Sequence, residues 1–130
     1  MYSCVTNGIR VSVETRYLEG ESDPEQARYF WAYSIEICNE GTRPVQLLAR
    51  HWRITDSNGH VEEVRGLGVV GEQPEIGPGD CFAYRSGCPL STASGFMIGS
   101  YQMVSEDGKL FDVDIPAFSL DMPDVRPVIN

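Results

Sequence analysis

The chain has 130 residues, 42% of them hydrophobic, and a formal net charge of −9 with a single lysine, Lys109. This length fits one domain that buries enough surface to fold without metal or disulfide staples. The acidic balance argues against a nucleic-acid binder, which needs a basic face, and against docking on an anionic membrane surface.

No run of about 18 apolar residues is present, so no membrane span is expected. The N-terminal stretch MYSCVTNGIRVSVETRYLEG lacks an apolar signal region, which points to the cytoplasm. Cys4, Cys38, Cys81 and Cys88 form no C-x-x-C pair. In a reducing compartment they are expected to be free thiols, with Cys38, in an apolar run, a small core residue. His51 and His60 supply no metal-binding helical pair, so neither a metal nor a cofactor is expected.

In chain order, Ile9, Val11, Val13, Thr15 and Tyr17 alternate with Arg10, Ser12, Glu14 and Arg16, the signature of a half-buried strand. Tyr29, Trp31, Tyr33, Ile35 and Ile37 repeat it with Phe30, Ala32 and Cys38 on the other face, so this strand should be more central. The polar loop GESDPEQAR between them allows one short turn, capped by Ser22 or Asp23, with Pro24 at its start. NEGTRP at 39–44 reads as a turn and VQLLARHWRIT at 45–55 as a strand. Asn58-Gly59 is a hairpin signal, because both residues tolerate positive φ, and HVEEVRG at 60–66 is the returning arm.

Beyond the breaker IGPGD at 76–80, strands are expected over CFAYRSG (81–87), GFMIGSYQMV (95–104) and KLFDVDIPAFSL (109–120). The last two flank a turn at Ser105-Glu106-Asp107-Gly108. The tail DMPDVRPVIN is broken by prolines and reads as poorly ordered. No segment keeps an apolar period of 3.6 residues over three turns, so no long helix is expected. Seven to eight short strands with closely spaced turns define an antiparallel β-sandwich over residues 1–130, with a core at about 8–122.

Gly66-Leu67-Gly68-Val69-Val70-Gly71 is a literal G-x-G-x-x-G. A dinucleotide site needs a helix directly behind the glycines, with its amides facing the pyrophosphate. Here Glu72-Gln73-Pro74-Glu75-Ile76-Gly77-Pro78-Gly79 follows, and two prolines and two glycines oppose a helix. The lysine of a phosphate-binding loop is also missing, since Glu72 follows Gly71. Three amide bonds to a phosphate are worth roughly 5–9 kcal/mol, against an association cost of about 4–15 kcal/mol. Arg65 is the nearby cation that adds to this. The expected role of the glycines is therefore a turn, a bulge or a close backbone approach at a sandwich edge, with weak anion binding by Arg65, Gly66, Gly68 and Gly71 as the alternative.

RHWRITDSNG, EVRGLGVVGEQP, FAYRSGCPLSTASGFMIGSYQM and FDVDIPAFSL together resemble the bacterial ApaG family over about residues 8–122. The family's glycine motif falls on Gly66, Gly68 and Gly71, its Arg-His-Trp on Arg50, His51 and Trp52, and its Ile-Pro-Ala-Phe on Ile115 to Phe118. The resemblance implies a fibronectin type III-like or immunoglobulin-like sandwich. Family members take their name from genes beside a diadenosine tetraphosphate hydrolase and are linked to cobalt resistance and magnesium efflux. Similar domains occur in eukaryotic F-box proteins and a DNA polymerase-interacting protein, where a protein-interaction role is inferred. The family has no established enzymatic activity, and its glycine motif has been suggested to bind pyrophosphate.

No catalytic residue set is expected. On a strand, Arg50 and Trp52 share one face while His51 and Arg53 share the other, so Trp52 should enter the core and Arg50 sit at an edge. Ser86, Ser91 and Ser94 lack a nucleophile elbow, Asp112 and Asp114 belong to a solvent face, and Asp56-Ser57-Asn58-Gly59 has the wrong spacing for a calcium loop. The expected function is a non-enzymatic protein-interaction module whose partner face includes Arg50, His51, Glu72 and Gln73. It is expected as a monomer, or as a homodimer formed through sheet edges. The alternative is a phosphate- or nucleotide-binding protein that uses the Gly66–Gly71 loop.

Overall fold

A computed structural model describes residues 1–123. It contains nine strands among those residues: β1 (Tyr2–Thr6), β2 (Ile9–Tyr17), β3 (Tyr29–Asn39), β4 (Val45–Asp56), β5 (Val61–Leu67), β6 (Glu75–Ile76), β7 (Cys81–Leu90), β8 (Ser94–Ser105) and β9 (Leu110–Asp121). Two antiparallel sheets form the sandwich expected from the alternation, one in the order β1-β2-β3-β7 and the other β5-β4-β8-β9, with β6 pairing β4. Two 3-10 turns, Glu19–Glu21 and Pro24–Gln26, are the helical segments of the described chain. Among the described residues, no helix is long and apolar enough to cross a membrane.

The period-two pattern settles which side chains meet. Ile9, Val11 and Val13 of β2 and Trp31, Tyr33, Ile35 and Ile37 of β3 are buried, and they face Trp52, Met97, Tyr101, Val113 and Phe118 of the other sheet. Phe118 packs against Trp52 at 88° and 5.8 Å, the edge-on geometry favoured by ring quadrupoles, and against Tyr33 at 5.9 Å with the rings tilted by 46°. As expected, β3 is central, lying between β2 and β7.

The turns differ in detail from the sequence reading. Gly59 has φ +84° while Asn58 stays at negative φ, so the β4–β5 connection is not a two-residue loop. Gly59 donates to the Asp56 carbonyl and Asp56 to the His60 carbonyl, giving a type I turn closed by a left-handed glycine. The Asp56 carboxylate accepts the amides of Asn58 and His60. Ser105 to Lys109 repeats the same backbone bonds around Gly108. In the polar loop, Ser22 donates to the Leu18 carbonyl and accepts the Phe30 amide, and neither Ser22 nor Asp23 caps a turn through its side chain.

Two of the nine strands are not among the seven segments named from the sequence: β1, paired with β2 through Asn7-Gly8 (φ 50° and 77°), and the two-residue β6. Thiol chemistry is a further correction. Cys38 and Cys81 form a disulfide rather than two free thiols, and Cys38 is not a core residue. Ile35 and Ile37 take the inner face of β3, so Cys38, one residue on, emerges on the outer face directly opposite Cys81 of β7. A sequence separation of 43 hides that register. Cys4 and Cys88 are free, as expected. The tail expected to be poorly ordered falls largely on 124–130, which lie outside the described residues.

Candidate functional site

The glycine loop follows the edge strand β5, beside a bulge in β4. Leu47 pairs with Met103 and Ala49 with Gln102, so Leu48 is an extra residue between them. The bulge lets both Leu47 and Arg50 face the interior, where Arg50 lies opposite the fully buried Tyr101. It also leaves the Leu48 carbonyl outside the ladder to β8, where it accepts the Gly68 amide at 2.8 Å and the Gln73 side-chain amide at 2.9 Å.

Each glycine answers a separate steric demand. A Cβ on Gly66 would lie 2.8 Å from the Arg50 guanidinium, which crosses the strand there. From that position Arg50 donates through Nη1 to the Leu67 carbonyl at 3.0 Å and the Gly68 carbonyl at 2.9 Å. Gly68 has φ +62°, and a Cβ on it would lie 2.2 Å from the Glu72 carbonyl oxygen. Gly71, at φ +81°, follows Val70 at φ 44°. These two form the centre of a tight turn closed by Val69 and Glu72, which exchange amide-to-carbonyl bonds of 2.8 and 2.9 Å. Two consecutive positive φ values define a type I′ turn, and a β-branched residue is rare in that conformation.

The amides of Gly68, Val69 and Glu72 are therefore bonded to carbonyls within the protein. Near Gly66 and Gly68 the loop offers carbonyls to a cation of the chain, Arg50, the reverse of the donor array that a phosphate needs. What the loop turns to solvent is apolar. Leu67 is 78% exposed and Val70 56% exposed. Sequence reasoning missed both, because an apolar residue between glycines reads as buried by default. Its signal was present in the pattern all the same, since Leu67 falls on the same face as Arg65.

Of the other predicted residues, His51 and Arg65 come together on the outer face of the β5-β4-β8-β9 sheet. His51 pairs in register with Arg65, and Arg53 with Glu63. Glu63 is the shared acid of two arginines and a histidine, at 3.9 Å from Arg53, 3.7 Å from Arg65 and 3.8 Å from His51. Beside them runs a groove of about 510 Å³, lined among others by His51, Arg65, Leu67, Ser100, Gln102 and Asp112. Arg50 shares none of these ion pairs; it lies on the inner strand β4 and its guanidinium reaches across Gly66 of the edge strand β5. Glu72 is exposed, whereas the Gln73 amide is tied to Leu48 and its carbonyl accepts from Gln46.

Behind Arg50, the hydroxyls of Tyr84 and Tyr101 are hydrogen-bonded to each other inside the sandwich. Burial pushes both phenols well above their ordinary range; the nearby Arg50 charge acts in the opposite sense as a smaller influence.

A two-sheet antiparallel sandwich with a glycine-rich loop and a mixed-charge outer face is the class these features define. Residues 19–105 match the model of the ApaG domain. Protein ApaG of Brucella anthropi is 62% identical over 130 residues, covering all of both chains, and Protein ApaG of Brucella canis is 58% identical over the same span. The crystal structure of the ApaA protein from Bordetella pertussis has a TM-score of 0.86 at 48% identity, covering 95% of this chain and 98% of that one. The C-terminal domain of Wzt, at 12% identity and a TM-score of 0.55 over 96% of this chain and 79% of that one, shares the fold alone. The chain belongs to the ApaG family.

Proposed function

We propose that this chain is a non-enzymatic protein-interaction module of the cytoplasm, and that the end of β5 with its glycine loop is the centre of the contact surface. The observation that carries this reading is the outward display of Leu67 and Val70 by a loop whose neighbouring amides are engaged internally. Exposed apolar side chains rimmed by charge are the usual anatomy of a partner-binding patch. Arg65, His51 and Glu72 supply that rim, while Arg50 and Gln73 hold the loop in place beneath it.

The test is affinity capture with the wild-type chain and with Leu67→Asp/Val70→Asp, both substitutions lying at exposed positions. The same protein should be retained by the wild type and lost with the variant, at a melting temperature no lower than that of the wild type. Equal retention by the two would remove the loop from the contact surface. Turnover of a nucleotide by the purified chain would overturn the non-enzymatic reading.

A second reading, a phosphate or nucleotide site, is favoured by Arg65 and His51 beside Ser100 and Gln102 in the groove. Calorimetric titration with pyrophosphate, ATP and diadenosine tetraphosphate, with and without magnesium, tests it. Absence of heat at millimolar ligand would eliminate it.

A further inference from the structure

Two of the four cysteines are chemically quiet. Cys88 points into the core, where burial pushes its thiol up to about 11, with the Glu62 charge adding to the effect. Cys4 donates its thiol hydrogen to the Asp114 carbonyl, and burial followed by the Asp114 charge raises its pKa. Cys38 and Cys81 are different. They oppose each other in register on the outer face of β3 and β7, and Cys81 is exposed as the first residue of an edge strand.

Two residues back along the same face of β3 stands the exposed carboxylate of Glu36. One of its oxygens and the two sulfurs all lie within 4.8 Å of one another. The neighbouring strand places Arg10 opposite Cys38, but its guanidinium is held by Glu40 at 2.6 Å.

We propose that Cys38, Cys81 and Glu36 form a redox-gated site for a thiophilic divalent cation of the zinc type. Thiolate and carboxylate are the donors such an ion accepts, and three protein ligands leave one tetrahedral position open for water or an outside ligand. A Zn–S distance of about 2.3 Å requires tetrahedral donors roughly 3.8 Å apart. Breaking the S–S bond lets the two sulfurs part toward that spacing, and the exposed Glu36 and Cys81 side chains have room to turn, while Cys38 is half-buried.

The electrostatics favour the same ion. A carboxylate beside two thiols disfavours both thiolates together, and a divalent cation among the three relieves that repulsion. Binding displaces one proton from each thiol, so two protons leave for each cation taken up. Oxidation closes the site. A small-molecule disulfide is attacked by one thiolate, and the other thiolate then resolves the mixed disulfide. The products are the Cys38–Cys81 bond, the released cation and two small-molecule thiolates, which take up two protons from water to become thiols. Exposure of Cys81 at a sheet edge allows this exchange without opening the core.

The test uses the full chain, reduced and kept free of oxygen, titrated with zinc against a chromophoric chelator of micromolar affinity. One zinc per chain is expected. Binding should be lost in Cys38→Ser and Cys81→Ser, fall about tenfold or more in Glu36→Gln, and stay unchanged in Cys4→Ser. Glutathione disulfide should release the metal, and re-reduction should restore uptake. Cadmium supplies a readout that needs no substitution, since thiolate ligation gives an ultraviolet charge-transfer band on the reduced wild type. The proposal is overturned if that band is missing, if the reduced chain takes up no zinc, or if the Cys38→Ser/Cys81→Ser double variant binds as the wild type does.

Discussion

Replacing Gly68 by alanine separates a structural role of the glycine motif from a ligand-binding one. A side chain at φ +62° carries a strain of roughly 1–2 kcal/mol. The new methyl group also meets the Glu72 carbonyl oxygen at 2.2 Å, a backbone atom that cannot swing aside. Moving that carbonyl breaks its bond from Val69, and such overpacking costs about 1–3 kcal/mol. The expected loss for Gly68→Ala is therefore about 2–5 kcal/mol.

Gly71 is the internal control. Its φ is +81°, but nothing lies within 4 Å of an added Cβ, so Gly71→Ala should lose only the conformational term, about 1–2 kcal/mol. Gly66 is not in the left-handed region and meets only the movable end of Arg50, so Gly66→Ala should cost less than Gly68→Ala. Urea unfolding followed by tryptophan fluorescence measures all three through the shift in midpoint at constant slope. Equal losses for Gly68→Ala and Gly71→Ala, or a Gly68→Ala chain within about 0.5 kcal/mol of wild type, would refute the steric account.

Val70→Asn should stabilise the chain by about 0.5–1 kcal/mol, because asparagine accepts the left-handed first position of a type I′ turn that valine resists; thermal melts would show it. Gln73→Ala should lower stability by about 0.5–1.5 kcal/mol through the lost bond to the Leu48 carbonyl. Alkaline unfolding should be governed by Tyr84 and Tyr101. Their native pKa values are raised, so their contribution is complete below about pH 10, where unfolded tyrosine begins to titrate. Above it the unfolded state releases protons that the native state retains, and stability falls as pH rises. Tyr101→Phe should shallow that slope while lowering neutral-pH stability by about 1–3 kcal/mol, since the Tyr84 hydroxyl is left unpaired. Urea midpoints at pH 7 and pH 11 would check both effects.

The strands were legible because their signal is local. Ile9 to Tyr17 and Tyr29 to Asn39 announce their faces through alternation, and β3 declares its central place by carrying apolar groups on both sides. The doubt cast on the phosphate-binding reading rested on Pro74 and Pro78, also local evidence. What escaped depends on register. Nothing within the motif tells Gly66 that Arg50 will cross it, because that meeting follows from β4–β5 pairing and one extra residue at Leu48. The Cys38–Cys81 pairing escaped for the same reason, as did the grouping of His51, Arg53 and Arg65 around Glu63. β1 was overlooked because Tyr2 to Thr6 is short, although Asn7-Gly8 carried the same turn signal that was read at Asn58-Gly59.

β1 has a further consequence. It pairs with β2 in one sheet, while Tyr2 bonds to Ser119, Cys4 to the Asp114 carbonyl and Thr6 to the Asp114 amide of β9 in the other. Five residues thereby lace the two layers along one flank and shield the outermost strand of the second sheet. Trimming the chain at Asn7 would unveil that flank, whose amides and carbonyls are a template for a strand of another molecule. A shortened chain would be prone to self-association, so preparations of this protein should leave its first six residues intact.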